Sequence, residues 1–294
     1  MNERNAEVRG HRNYKDTVFR MLFKDKSALL SLYNAMTGSN HSNVDDLEIV
    51  TLENAIYMNV KNDLAFLADF SLYLYEHQST VNPNMPLRFL QYVAKEYERL
   101  IRNDTLYGDA LVPIPEPQFV VFYNGVGDFP ERTELKLSDA FLRKNQGGTE
   151  PQLELKVQVW NINAGNNEEL KAQCKVLGEY MQYVDCVRKY LERQPVEEAV
   201  VSAVDECIER GILSDFLRKN KAEVVPVSIF EYDEEAVREV IRRSAEQRGL
   251  EQGEALLAQL IGALLKAGRQ EDVQRAIESP EARETLYREF GLKK

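Results

Sequence analysis

Cysteine, histidine and tryptophan are scarce in this chain of 294 residues, which has three cysteines, three histidines and one tryptophan. Cys174, Cys186 and Cys207 are odd in number, far apart and without a CxxC pair. That pattern excludes a disulfide framework or a zinc finger and fits a reducing cytosol. His11, His41 and His77 are too dispersed for a metal triad. No run of 18 apolar residues occurs, so no transmembrane helix is expected. The opening MNERNAEVRGHRN carries no apolar core of a secretion signal. An excess of positive charge is missing as well: the formal net charge is -11. A protein that coats nucleic acid non-specifically is thereby excluded, because such binding rests on neutralising phosphates. An acidic metal site beside a local basic strip remains compatible with that charge.

What is present is a globular composition, 44% hydrophobic with 14 Tyr and 12 Phe, sufficient for a sizeable core. Residues 14–37 place Val18, Phe19, Leu22, Phe23, Leu29, Leu30, Tyr33 and Met36 at near-helical spacing. A break is expected around Lys24-Asp25-Lys26, and a stop at Gly38. Residues 47–52 read as a short strand. NDLAFLADFSLYLYEHQ, residues 62–78, reads as a hairpin turning at Asp69-Phe70.

A two-residue loop there makes cross-strand partners whose numbers sum to 139. Leu67 then faces Leu72, Ala65 faces Leu74 and Asp63 faces Glu76. Alternation puts Glu76 and Gln78 on the face of Leu72 and Leu74 and turns His77 to the other face. A slip of one residue would reverse this assignment. Asp63, Glu76 and Gln78 therefore converge at one end of the hairpin.

Pro86 opens a helix to about Asn103, with Leu90, Val93, Ala94, Tyr97, Leu100 and Ile101 as its expected buried stripe. Arg88, Gln91 and Lys95 on that helix are candidate phosphate contacts. Residues 107–117 read as a proline-rich loop, and QFVVFYNG (118–125) and LELKVQVWNIN (153–163) as strands. From about 167 the pattern is helical. One long amphipathic stretch begins there, a second runs from Pro195 to Gly211, and ILSDFLRKNKAEV adds a shorter helix. A charge-rich helical tail completes the chain.

Helix, hairpin, helix and strand in this order predict an α/β fold, a mixed-sheet core with flanking helices. An Asp and a Glu on neighbouring strands supply hard anionic oxygens of the kind that hold Mg²⁺ while leaving room for water and phosphate. Asp63, thirteen residues before Glu76-His77-Gln78, resembles the bipartite site of the PD-(D/E)XK nucleases. The run TLENAIYMNVKNDLAFLADFSLYLYEHQSTVNPNMPLRFLQYVAKEYERL is similar to the PD-(D/E)XK nuclease family transposases, the recombination-promoting nucleases. FVVFYNG and AVDECIERGILSDFLRKNKAEV extend that resemblance.

The resemblance implies a restriction-endonuclease-like core at about 14–163, a helical extension at 164–230 within a nuclease-like domain of 1–230, and a helical tail at 231–294. It implies a cytoplasmic bacterial DNA endonuclease, linked to recombination or mobile elements, that uses Mg²⁺ or Mn²⁺. Asp63 and Glu76 become metal ligands, with Glu53 as an auxiliary acid. Gln78 stands where the superfamily's name has lysine, and Asn62 where it has proline. DNA is the implied partner, no membrane is involved, and the helical C-terminal region is the expected surface for self-association. A carboxamide at 78 can orient water by hydrogen bonds but brings no charge. A second reading therefore stays open, in which a weak or inactive nuclease scaffold binds DNA or protein.

Overall fold

The computed structural model describes residues 17–50, 63–101, 106–142 and 150–292, with the backbone alone over 234–252. Expectations for Glu53 and Asn62 fall outside the described residues. The chain divides into two compact units, Met1–Tyr232 and Asp233–Lys294.

The first unit is mixed α/β. Two short helices open it, α1 (Val18–Phe23) and α2 (Lys26–Thr37). The break between them has a clear cause: the Asp25 carboxylate accepts from the backbone N–H groups of Ser27 and Ala28 at 3.0 Å, capping the second helix. Gly38, at φ 71°, ends it in the left-handed conformation.

Six strands follow in a single sheet of order β1-β2-β3-β4-β6-β5. They are β1 (Glu48–Ile49), β2 (Leu64–Ala68), β3 (Ser71–Gln78), β4 (Glu116–Tyr123), β5 (Arg132–Lys136) and β6 (Lys156–Asn161). β1, β2 and β3 pair antiparallel, β3, β4 and β6 run parallel, and β5 closes the far edge antiparallel to β6. The parallel step from β3 to β4 is bridged by α3 (Met85–Leu100), as such a crossover requires.

The hairpin register is the one its loop length predicts: Leu67 pairs with Leu72 and Ala65 with Leu74. Asp69 and Phe70 both take positive φ, 47° and 64°, the geometry that a two-residue turn between twisted strands demands. Asp tolerates this left-handed conformation, and Phe does not. The turn is held by the Asp69 carboxylate, which accepts from the Tyr33 hydroxyl at 2.6 Å and lies 3.0 Å from His41 Nε2.

Strand alternation divides the core in two. On one face Ala65, Leu72, Leu74, Phe119, Val121, Val157 and Val159 pack with Phe89, Tyr92 and Val93 of α3. On the other, Leu64, Phe66, Tyr75, Val120 and Phe122 meet α1, α2 and the later helices. Those are α4 (Glu168–Gln173), α5 (Lys175–Leu191), α6 (Val196–Glu209) and the first turns of α7 (Ser214–Lys266).

Four details differ from the expectations. The stretch after residue 167 is two helices, because Cys174 leaves helical geometry at φ -109°, ψ 89°. The segment beginning at ILSDF opens a helix of 53 residues that passes through Pro226. β5 is an unanticipated edge strand whose residues are half-exposed or exposed throughout. The buried face of α3 is Met85, Pro86, Phe89, Tyr92, Val93 and Glu96, while Ala94 and Leu100 are exposed. The stripe is rotated by about one residue from the expected one, because a carboxylate at 96 turns inward.

The second unit is helical. The last turns of α7 with α8 (Gln270–Glu278) and α9 (Pro280–Glu289) enclose Leu260, Leu264, Ala276, Leu286 and Tyr287. Ser279 caps α9 by accepting from the Ala282 N–H at 3.2 Å. No helix among the described residues is long and apolar enough to cross a membrane.

Candidate functional site

β3 is apolar on both faces until it reaches Glu76. It has the sheet on either side and α3 above it, so Glu76 arrives at the strand's end still buried, at 3% exposure. A buried carboxylate must be compensated, since desolvation disfavours its charge.

The compensation comes from three directions. The Asp63 backbone N–H donates to Glu76 Oε1 at 3.1 Å. From α3, Arg88 Nη2 donates to Glu76 Oε2 at 3.2 Å. From α1, Arg20 adds a third, electrostatic contribution. Burial and the neighbouring Asp63 charge nevertheless outweigh all three and hold the Glu76 carboxyl well above the usual carboxylate range.

Asp63 stands one residue before β2, across the hairpin from Glu76. Its Oδ2 accepts from the His77 backbone N–H at 2.8 Å, so each acidic residue is tied to the opposing strand by a main-chain donor. This reciprocal arrangement is a direct result of the register: carboxylates at strand ends reach the N–H groups that the ladder no longer uses.

Arg88 is bonded within α3 as well as to Glu76. Its Nη2 and Nε donate to the Tyr92 hydroxyl at 2.6 and 3.0 Å, one turn along the helix. Burial, with Glu76's charge added, pushes the Tyr92 hydroxyl up to about 12, so it stays protonated. Gln78 completes the cluster. With its carboxamide turned so that both ends are satisfied, Oε1 accepts from Arg88 Nη1 at 3.0 Å and the NH₂ donates to the Thr80 carbonyl at 3.3 Å.

Asp63, Glu76, Gln78 and Arg88 thus form one cluster on the α3 side of the sheet. Gln91 is exposed and Lys95 half-buried, about one and two turns beyond Arg88. Arg20 and Tyr92 escaped the sequence reading because both lie within apolar helical patterns. The only available signal was a basic residue inside the buried run VFRMLF.

His77 faces the other way. Its ring stacks on Phe19 with centroids 4.9 Å apart and its Nε2 lies 3.1 Å from the Tyr180 hydroxyl. Burial and the charge of Arg188 push it down to about 3, so it is neutral at physiological pH and serves packing.

The mouth of the cluster is tightly built. The Asn124 N–H donates to the Gln78 carbonyl at 3.0 Å where β4 ends beside β3. At the next residue, a Cβ added to Gly125 would lie 2.1 Å from the Ser79 carbonyl oxygen, so only glycine fits.

The donor set suits a hard divalent cation. Two carboxylates and one carboxamide oxygen meet within a single cluster, and each carboxylate oxygen keeps lone-pair capacity beyond its hydrogen bond. No group of three or more His, Cys, Asp or Glu side chains arranged to hold a metal occurs among the described residues. Among the described residues the acidic part of this site is the pair Asp63 and Glu76. No protein-family model, curated protein or solved structure matches the chain.

Proposed function

We propose that this chain is a Mg²⁺-dependent DNA endonuclease built on a restriction-endonuclease-like core, with Mn²⁺ able to replace Mg²⁺. The observation that carries the reading is the convergence of Asp63 and Glu76 across a hairpin of fixed register, with Gln78 and Arg88 against them. A divalent cation held there supplies Lewis-acid charge to a scissile phosphate and lowers the pKa of a bound water.

Asp63 and Glu76 hold that cation through oxygens. The Gln78 carboxamide orients the attacking water by hydrogen bonding, since it has no charge to contribute. Arg88 anchors the phosphodiester backbone, and Gln91 and Lys95 extend the contact along α3. Arg20, buried on α1, adds positive charge that partly offsets the burial of Glu76.

The test is nicking of supercoiled plasmid with and without Mg²⁺, comparing the wild type with Asp63→Ala. Metal-dependent nicking lost in the variant is expected. Equal activity in both proteins refutes the role of Asp63.

A second reading has its own support. Glu76 is buried and both its oxygens already have protein partners, as in a purely structural ion pair. On that reading the scaffold binds DNA or protein without cutting, and a calorimetric titration with Mn²⁺ gives no heat.

A further inference from the structure

Arg88 and Glu76 are unequal partners. The Arg88 side chain is 38% exposed and that of Glu76 is 4% exposed. Of the two partners, the guanidinium is the one that reaches solvent. Its contact with Glu76 Oε2 at 3.2 Å is a single bond rather than a two-pronged one, because the Glu76 Oε1 oxygen accepts from Asp63. The firmer hold on Arg88 is the Tyr92 hydroxyl, which bonds Nε and Nη2 at 3.0 and 2.6 Å. Tyr92 is anchored in the apolar cluster below, at 3% exposure, and does not depend on Glu76 for its position.

In the metal-free protein the buried Glu76 carboxylate has the Arg88 guanidinium as its bonded cationic partner. Once a divalent ion is bound to Glu76, the guanidinium becomes both redundant and repelled. Its flexible stem and wet end allow it to leave, with the Tyr92–Nε bond as pivot.

We infer that Arg88 is a resident placeholder: it occupies the cation's position on Glu76 in the metal-free protein, competes with the metal, and is released toward the substrate phosphate when metal enters. This rests on the metal reading proposed above and adds a regulation to it, coupling metal entry to presentation of the phosphate anchor. Arg20, at 4% exposure on α1, has no such exit and stays as the fixed counter-charge.

The experiment is calorimetric titration of Mn²⁺ into the full chain at pH 8.0 under argon. Wild type is compared with Arg88→Gln and with Tyr92→Phe, and all three are checked for folding by near-ultraviolet circular dichroism. Removing a like charge from beside the metal is expected to tighten Mn²⁺ binding about tenfold in Arg88→Gln. Loosening the pivot alone is expected to tighten it about threefold in Tyr92→Phe. Tighter binding in the variants supports the placeholder, including the case where wild type gives no heat and Arg88→Gln does. Equal or weaker binding in folded variants, beside measurable binding in wild type, overturns the placeholder and leaves the metal site standing. Absence of heat from all three proteins overturns the metal reading itself. Should Arg88→Gln not fold, Tyr92→Phe decides between these outcomes by the same criteria.

Discussion

The inward carboxylate of α3 gives the sharpest energetic prediction. Glu96 is completely buried against the sheet. Its Oε2 accepts from Arg99 Nη1 at 3.3 Å, and its Oε1 has no hydrogen-bond partner among the described residues. Burial, only partly offset by Arg99, pushes its carboxyl from the ordinary 4.5 up to about 7. Ionising it in the native state at pH 8 therefore costs about 3 kcal/mol more than in the unfolded chain.

The sign follows from proton binding. Between pH 4.5 and about 7 the native state holds this proton and the unfolded state does not, so stability falls as pH rises through that window. Glu96→Met keeps the volume and removes the charge, while Arg99 retains its bond to the Val50 carbonyl at 2.8 Å. At pH 8 the variant should be more stable by about 2–3 kcal/mol, a rise in melting temperature of about 5–10 °C for a unit of this size. At pH 5, where Glu96 is protonated, the gain should vanish. Differential scanning calorimetry at the two pH values reads both numbers. A stability change of the same size at pH 5 and pH 8, or a loss at pH 8, refutes the assignment of a buried, ionising Glu96.

Two smaller predictions accompany it. Phe70 is 97% exposed at φ 64°, so Phe70→Gly removes backbone strain without losing packing and should stabilise by about 1 kcal/mol; a lower denaturation midpoint in guanidinium would contradict the turn geometry. His77 is neutral in the native state down to about pH 3, against 6.5 in the unfolded chain, so its contribution is complete above 6.5 and is lost as pH falls toward 3. His77→Phe should keep the stack on Phe19 and move the acid-unfolding midpoint downward; an unmoved midpoint shows that His77 does not govern acid lability.

The hairpin was legible in the sequence because two constraints act together. A two-residue loop fixes the pairing sum, and the pleat then assigns every side chain to a face. Asp63, Glu76 and Gln78 followed from those two facts, as did the turning away of His77. The helix above them was harder to read. Its expected stripe counted Ala94 as core and did not include Glu96, since hydropathy alone cannot foresee a buried carboxylate partnered by Arg99. Arg20 was hidden for the related reason that a cation within VFRMLF has no partner visible along the chain; what gives it meaning is Glu76, 56 residues further on. β5 was missed because RTELK at a sheet edge buries almost nothing and so leaves almost no pattern. The length of α7 was masked by Pro226, whose usual effect is to end a helix.

The glycine beside Ser79 has a consequence of its own. With the Ser79 carbonyl pressed onto Gly125, the exits of β3 and β4 share one path with no slack between them. A methyl group at 125 would have to displace both the Tyr123 ring and the Ser79 carbonyl, and Ser79 is bonded directly to Gln78. The carboxamide's position is thus calibrated by a residue with no side chain, 47 positions downstream. Such a site can be displaced without substituting any of its chemical groups, which makes Gly125 a dial on the cluster rather than a member of it.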